Sequence, residues 1–291
     1  MRLTNRSTGI PIIGSWTAND GAFYAENDIS SSDQVIASIT KYIKNISQKS
    51  LQKLLDLYPL DSFNFLVRPN QVNTPQYYQA AQINRDLWFT CPVIDFTWQY
   101  ARFGNNAPVR LYEMNQTRFD PIFANIGHPE WRVAHLSDLP YFFNEPLVGG
   151  GDNTAAQFAL SRVVAGSIAA FAYTGDPTSA PPGKEVLRDW PLAYPGAGPR
   201  SGEFPQNYNV KVIGGPLGEG ATDAADAAGA AMKLVAYKRR ALGARAGGRV
   251  EENGVEKRDD QVGATLDQAL AWERVIERCN FIDSISKEIG V

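Results

Sequence analysis

The chain has 291 residues, of which 44% are hydrophobic and 11% aromatic, and its formal net charge at pH 7 is −3. This composition supports a sizeable folded core and excludes a chain that is disordered throughout. The basic residues do not cluster over most of the chain, so a nucleic-acid-binding protein is not expected. No transmembrane segment is expected either, because the most apolar run, Val163–Tyr173, is too short to cross a bilayer.

The predicted elements alternate between strand and helix. A buried strand is predicted at Ile10–Trp16, followed by a helical stretch that is capped near Ser31 and continues to Pro59. A helix from Pro75 to about Phe103, with a break at Cys91-Pro92, leads to a second strand at 109–115. After it come a short helix capped by Ser137 or Asp138, a helix over Thr154–Tyr173 and a short strand at Tyr208–Ile213. Strand, helical crossover and strand form a β-α-β unit, which favours a parallel sheet. The predicted fold class is α/β, with many helices around a small, mostly parallel sheet.

Residues 214–263 differ in composition from the rest of the chain. Alanine, glycine and charged residues dominate there, which predicts a low-complexity, largely solvated insertion, transiently helical around Ala224–Leu242. Its basic run at 238–245 is interpreted as part of a solvated loop, because the acidic block beside it cancels the charge. An amphipathic helix is predicted over Leu266–Ile289.

Two ionisable residues follow the first two predicted strands. Asp20 lies in a turn after the first strand, and His135 lies on a loop after the second. Because functional groups collect at the carboxyl ends of parallel strands, the two side chains are candidates for a catalytic acid and base acting on a serine. From these residues alone, however, a turn aspartate and a structural histidine are favoured. His128 is interpreted as structural as well.

The two cysteines, Cys91 and Cys279, lie far apart and form no C-x-x-C motif, which argues against zinc or thioredoxin-type chemistry. They are either two buried thiols or the partners of one long-range disulfide. Sequons for N-glycosylation occur at Asn5, Asn45 and Asn115, close to the number expected by chance. No cofactor or metal is expected.

Four local matches, taken together, resemble one known family. IPIIGSWTANDGAFY looks like that family's strand and acid turn, and RVAHLSDLPYFFN looks like its histidine segment. FAYTGDP followed by WPLAY is similar to the stretch after that histidine, and DLWFTCP and RVIERCNFI resemble its cysteine-bearing segments. The family is the type-B carboxylesterase/lipase family, to which cholinesterases and fungal lipases belong, and the likeness is greatest to fungal esterases. It covers residues 9–195 and 264–286.

The resemblance carries expectations for fold and chemistry. It implies the C-terminal portion of an α/β-hydrolase fold, with residues 1–291 as one partial domain that contains the 214–263 insertion. Asp20 takes the place of the catalytic acid, where many members have Glu, and His135 that of the catalytic base. Cys91 and Cys279 would form a disulfide. The full-length parent would hydrolyse a small-molecule or lipid carboxylic ester through an acyl-enzyme, and would be secreted, although this chain shows no signal peptide.

One part of the family pattern is missing from this sequence. No G-x-S-x-G nucleophile elbow occurs in it, and no glycine-rich oxyanion loop stands in the expected place. We therefore expect a chain that corresponds to roughly the second half of such an enzyme and is inactive alone. The alternatives are a non-catalytic cholinesterase-like binding module, which the presence of Asp20 and His135 disfavours, and one half of a split esterase completed by a separate N-terminal half.

Overall fold

A four-stranded sheet organises the part of the chain that the structure describes. The computed structural model describes residues 9–43, 45–67, 73–104, 107–144, 154–180, 182–198, 204–205, 207–214, 234–238 and 275–290. The strands are β1 (Ile12–Thr17), β2 (Val109–Met114), β3 (Asn207–Ile213) and β4 (Leu234–Lys238), and they lie in that order across the sheet. The first three are parallel, and β4 pairs antiparallel with β3. The α/β class and the three predicted strands are confirmed, with ends within two residues of the prediction.

Helices surround this sheet. They are α1 (Ser32–Tyr42), α2 (Gln48–Asp56), α3 (Pro75–Arg85), α4 (Cys91–Phe103), α5 (Asp120–Asn125), α6 (Leu139–Phe142), α7 (Ala155–Thr174), α8 (Val275–Ser284) and α9 (Ser286–Ile289). Short 3-10 turns occur at Ala22–Tyr24, Leu60–Leu66 and Pro129–Trp131. Polar side chains cap several of the helices. Ser31, where a cap was predicted, and Thr154 each form a capping box with a glutamine three residues later.

Strand β2 separates two apolar clusters. All six of its residues are buried, as expected for a strand covered on both faces. Leu111 belongs to the larger cluster, with α1 to α4 and α8, whereas Tyr112 belongs to the smaller cluster, with α6 and α7. Successive side chains of β2 therefore point to opposite helical layers.

A disulfide joins Cys91, at the start of α4, to Cys279 of α8. The two Cα atoms are 5.0 Å apart, within the normal range for the bond. This confirms the pairing implied by the family resemblance. Both residues lie inside the larger apolar cluster, so the bond fastens the C-terminal helix to the layer that covers the sheet.

Two local predictions were wrong. The break in the long helix lies before Cys91, at a π-helical segment over Asp86–Thr90, and Pro92 lies in the first turn of α4, which follows that segment directly. The helix expected around Ala224–Leu242 is a strand at Leu234–Lys238, where the backbone pairs with β3. The rest of the 214–263 insertion beyond residue 214 lies outside the described residues, as do residues 266–274 of the predicted C-terminal helix.

The three sequons have different surroundings. Asn45 is exposed, and Asn5 lies outside the described residues. Asn115, directly after β2, is only 8% exposed, and its side-chain Oδ1 is buried without a hydrogen-bond partner among the described residues. Because a glycan needs a surface asparagine, this burial disfavours glycosylation of Asn115 in the folded chain.

Helix α7 is longer than the apolar run noted in the sequence. Its 20 residues are, by length and composition alone, enough to cross a membrane, and among the described helices it is the one that meets this test. In the structure, Leu160 and Val164 of α7 are buried in the smaller apolar cluster against the sheet. A long apolar helix that packs on a protein core meets the same criterion of length and composition.

Candidate active site

The acid turn begins where β1 ends. Ala18 N–H donates to the carbonyl of Met114 (2.9 Å), which continues the pairing of β1 with β2 by one residue. Asp20, 2% exposed, then folds back so that its Oδ2 accepts the backbone N–H of Thr17 (2.7 Å). This bond fixes the orientation of the carboxylate and leaves Oδ1 facing away from the turn.

Gly21 has a packing role that its turn motif did not reveal. A Cβ placed on Gly21 would lie 2.0 Å from the carbonyl oxygen of Ala81 and 2.4 Å from the backbone nitrogen of Arg85, both in α3. Backbone atoms cannot yield by such an amount. The residue after Asp20 must therefore be glycine for the acid turn to sit against this helix.

The histidine loop is tied directly to the acid turn. Asn19 N–H donates to the carbonyl of Val133 (2.9 Å), two residues before His135. Ala134 and Ser137, which bracket the turn, are fully buried and joined by a backbone hydrogen bond of 3.1 Å. The loop is thus anchored on both sides of the histidine.

His135 and Asp20, 115 residues apart in sequence, meet in the structure. His135 Nδ1 lies 2.9 Å from Asp20 Oδ1. A carboxylate offers only acceptors, and the other oxygen of Asp20 already accepts from Thr17. Nδ1 of His135 therefore carries the proton and donates a hydrogen bond to Asp20. In the neutral ring, Nε2 is then the atom with the free lone pair.

The remaining surroundings of His135 leave Nε2 accessible. The side chain is 36% exposed, and among the described residues Nε2 makes no hydrogen bond. The ring of Phe89, from the π-helical segment, packs against the imidazole with centroids 4.9 Å apart. A histidine held on one nitrogen by a buried acid, and open on the other, has the geometry of a general base.

Two residues of the histidine loop adopt uncommon backbone angles. Arg132 has φ of 46° and Leu136 has φ of 70°, the left-handed region that non-glycine residues rarely occupy. Arg132 is held by a bond from its Nη2 to the carbonyl of Leu66 (3.0 Å). Such conformations persist only where the surroundings enforce them, and they gather at functional sites.

A second carboxyl lies close to the pair and was missed by sequence analysis. Ser137 or Asp138 was predicted to cap α6, but among the described residues neither side chain makes a capping bond. The Oδ2 of Asp138 instead accepts the hydroxyl proton of Tyr112 in β2 (2.8 Å). Burial raises the pKa of Asp138, while the bond from Tyr112 opposes the rise.

Charged residues are also buried beneath the acid turn. Glu113 of β2 is 1% exposed; its Oε2 accepts the indole N–H of Trp16 (2.7 Å) and lies 4.0 Å from Nη1 of Arg85. Burial raises the pKa of Glu113 to about 8, although Arg85 and Trp16 both favour the ionised form. Arg85 in turn donates to Asp86 (2.9 Å) and to the carbonyl of Ala18 (3.4 Å), which joins this cluster to the turn. Glu113 lies far from Trp16 and Arg85 in sequence, so no local pattern signals this cluster.

His128 has the structural role that the sequence suggested. Its Nδ1 lies 2.7 Å from Nδ2 of Asn27 and 3.0 Å from Oε1 of Glu130, and its ring stacks on Trp131 at 4.0 Å. This histidine braces the loop between α5 and His135. Within the described residues, no group of three or more His, Cys, Asp or Glu side chains could hold a metal ion.

Comparison with known proteins places these features in a family. A family model described as "Carboxylesterase family" matches residues 1–203. An inactive carboxylesterase-like protein, VdtD of Byssochlamys spectabilis, is 28% identical over 209 residues, which are 70% of this chain and 36% of that protein. A secreted lipase of Arthroderma benhamiae is 28% identical over 171 residues, 56% of this chain and 28% of that protein.

A solved structure shows the same fold. The crystal structure of Aspergillus niger EstA matches 97% of this chain and 41% of its own with a TM-score of 0.58, at 15% sequence identity. The chain thus spans about a third of the length of the curated relatives it matches.

Proposed function

Because this chain belongs to the carboxylesterase family, we propose that it provides the acid and the base of a serine-dependent carboxylic ester hydrolase. Asp20 holds the imidazole of His135 in the tautomer with a free Nε2. His135 takes the proton of a serine hydroxyl as that oxygen attacks the ester carbonyl, and then returns the proton to the departing alcohol. The observation that supports this most directly is the 2.9 Å contact between Nδ1 and the buried carboxylate.

The serine itself is the missing partner of this mechanism. The sequence contains no G-x-S-x-G elbow, so the chain by itself should not form an acyl-enzyme. Without nucleophile and oxyanion hole, hydrolysis of p-nitrophenyl acetate by the purified chain should equal the background rate in buffer. Turnover that a serine-directed inhibitor abolishes would contradict this part of the proposal.

The esterase proposal is tested by supplying the nucleophile. The transcript is examined upstream of Met1 for a G-x-S-x-G motif, and a longer protein that contains one is assayed on short p-nitrophenyl esters. We expect turnover, a fall in kcat of about 10⁴-fold for Asp20→Asn and a loss of at least that order for His135→Ala. His128→Gln is the matched control and should retain kcat, because His128 touches neither member of the pair.

A second candidate is a catalytically silent member of the family. It is favoured by one relative whose printed name is that of an inactive carboxylesterase-like protein, together with the missing elbow. In that case the longer protein would bind ester ligands without hydrolysing them, and Asp20→Asn would leave binding unchanged. Saturable ligand binding without turnover would identify this function.

We further propose that residues 1–291 form one domain and that 214–263 is an insertion in it. Tyr208 before this segment and Val275 after it belong to the same apolar cluster, and the disulfide to Cys279 crosses it. Limited proteolysis should therefore cut first within 214–263 and leave two fragments that separate only after reduction. A first cut elsewhere would contradict the proposed boundaries.

The parent protein is proposed to be secreted. A disulfide persists in oxidising compartments, and one relative carries the name of a secreted lipase. Detection of the native protein in culture medium, with its cysteines oxidised, would support this location. Retention in the cell with reduced thiols would argue against it.

A further inference from the structure

At the carboxyl end of β2 lies a buried arginine that has no hydrogen-bond partner in the described part of the chain. Arg118 follows β2, which ends at Met114, and is 1% exposed. Its Nε, Nη1 and Nη2 are all buried, and none has a hydrogen-bond partner among the described residues. A guanidinium keeps its charge at all ordinary pH values, and a charge taken out of water is costly unless it is paired.

Among the described residues, this charge is in contact with aromatic rings and is not hydrogen-bonded to a carboxylate. The rings of Tyr141 in α6 and Phe158 in α7 lie 5.2 and 5.3 Å from Arg118 Cζ. The hydroxyl of Tyr141 is itself buried and makes no hydrogen bond of good geometry among the described residues, although Arg118 and Gln157 both lie near it. Asp120, the nearest acid in sequence, acts electrostatically on Tyr141, and no carboxylate among the described residues makes a hydrogen bond to Arg118. Contact with aromatic faces stabilises a cation less than a hydrogen-bonded anion does.

The backbone that presents Arg118 is firmly held. Gln157 of α7 donates to the carbonyl of Thr117 (2.9 Å), and Phe119 N–H donates to the Thr117 hydroxyl (3.0 Å). The guanidinium therefore has little freedom to reach other acceptors by movement of its loop. A rigid site with several unpaired donors suits an external ligand better than a surface side chain that could fold over it.

We propose that Arg118 and Tyr141 bind a small monocarboxylate. The guanidinium fork matches the two oxygens of a carboxylate, and the Tyr141 hydroxyl supplies a further donor. A single negative charge balances the single positive charge, and the flanking rings suit a short apolar tail. Phe158 is 42% exposed and its ring lies 5.3 Å from Arg118 Cζ, so we place the entry of the ligand past this ring. The site lies at the carboxyl end of β2, the edge of a parallel sheet at which ligands bind.

The test needs no esterase activity. The full chain is heated with increasing sodium acetate or propionate at constant ionic strength, with sodium sulfate and sodium phosphate as comparison anions. We expect the Tm to rise saturably with carboxylate, by roughly 5 °C at a hundredfold excess over the Kd. Arg118→Met should abolish the response, and Tyr141→Phe should weaken the apparent affinity about tenfold. Arg162→Met, which changes an exposed residue of α7, is the matched control and should respond like wild type.

Three outcomes would overturn the proposal. The first is a wild-type Tm that no carboxylate changes, which would mean that water alone fills the site. The second is an equal response to sulfate or phosphate, which would indicate a non-specific ion effect. The third is a wild-type response retained in Arg118→Met or, if that variant does not fold, in both Arg118→Lys and Tyr141→Phe.

Discussion

Removal of the Cys91–Cys279 disulfide should destabilise the folded chain by about 5 kcal/mol. The bond spans 188 residues, and closing so long a loop restricts the unfolded chain strongly. In the chain-entropy relation, a loop of this length removes roughly 18 cal/mol/K from the unfolded state, which is about 5 kcal/mol at 25 °C. A typical domain is stable by only about 5–15 kcal/mol, so the bond is a large share of the total.

Urea unfolding measures this effect. Wild type is compared with itself after reduction and with the Cys91→Ala/Cys279→Ala double variant. With an m-value near 3 kcal/mol/M, both should unfold at about 1.5–2 M less urea than the oxidised protein. The double variant should not respond to reductant, which provides the control. A shift below about 0.5 M would refute the loop-closure reasoning and would mean that α8 is held mainly by packing.

Two further predictions concern residues around the acid turn. Gly21→Ala should lower the free energy of unfolding by more than about 3 kcal/mol, because its Cβ would overlap the backbone of Ala81 and Arg85. The control is Gly198→Ala, which has open space around the new Cβ and should lower it by under about 1 kcal/mol. Similar losses at both positions in urea titrations would contradict the packing argument. For Glu113, burial raises the pKa from 4.5 to about 8, so the folded chain holds a proton that the unfolded chain releases. The free energy of unfolding should therefore fall as pH rises from about 4.5 to about 8. In Glu113→Gln, this contribution to the pH dependence of the free energy of unfolding should be absent. An identical pH dependence in both proteins would show that Glu113 does not titrate as described.

The sequence predicted those parts of the fold that depend on local chemistry. The length and composition of the runs at Ile12–Thr17 and Val109–Met114 favoured strands, and Ser31 marked a helix start by its own side chain. Asp20 and His135 were singled out because strand ends converge in parallel sheets. Their assignment as a pair, and that of the disulfide, rested on the family resemblance.

What the sequence could not supply depends on contacts between distant residues. Asp138 stands at a helix start, where a capping role is the local expectation, but Tyr112 in β2 competes for its carboxylate. Glu113 occupies a strand position that could equally have faced solvent. Arg118 lies in a polar stretch that reads as a loop, and only the packing of Tyr141 and Phe158 shows that its charge is buried.

The central claim is that Asp20 fixes His135 with a proton on Nδ1 and a free Nε2. The ¹⁵N spectrum of the imidazole rings reports this tautomer directly, and with two histidines in the chain a His128→Gln variant assigns the signals. At about pH 9, where a free imidazole is neutral, wild-type His135 should show a protonated Nδ1 and a pyridine-type Nε2.

Asp20→Asn should invert this tautomer. The backbone N–H of Thr17 holds one oxygen of Asp20, so in the variant it should hold the amide oxygen and turn the NH₂ group toward His135. Nδ1 must then accept, and the proton should move to Nε2. A wild-type ring that is already protonated on Nε2, or a spectrum that Asp20→Asn leaves unchanged, would contradict the account.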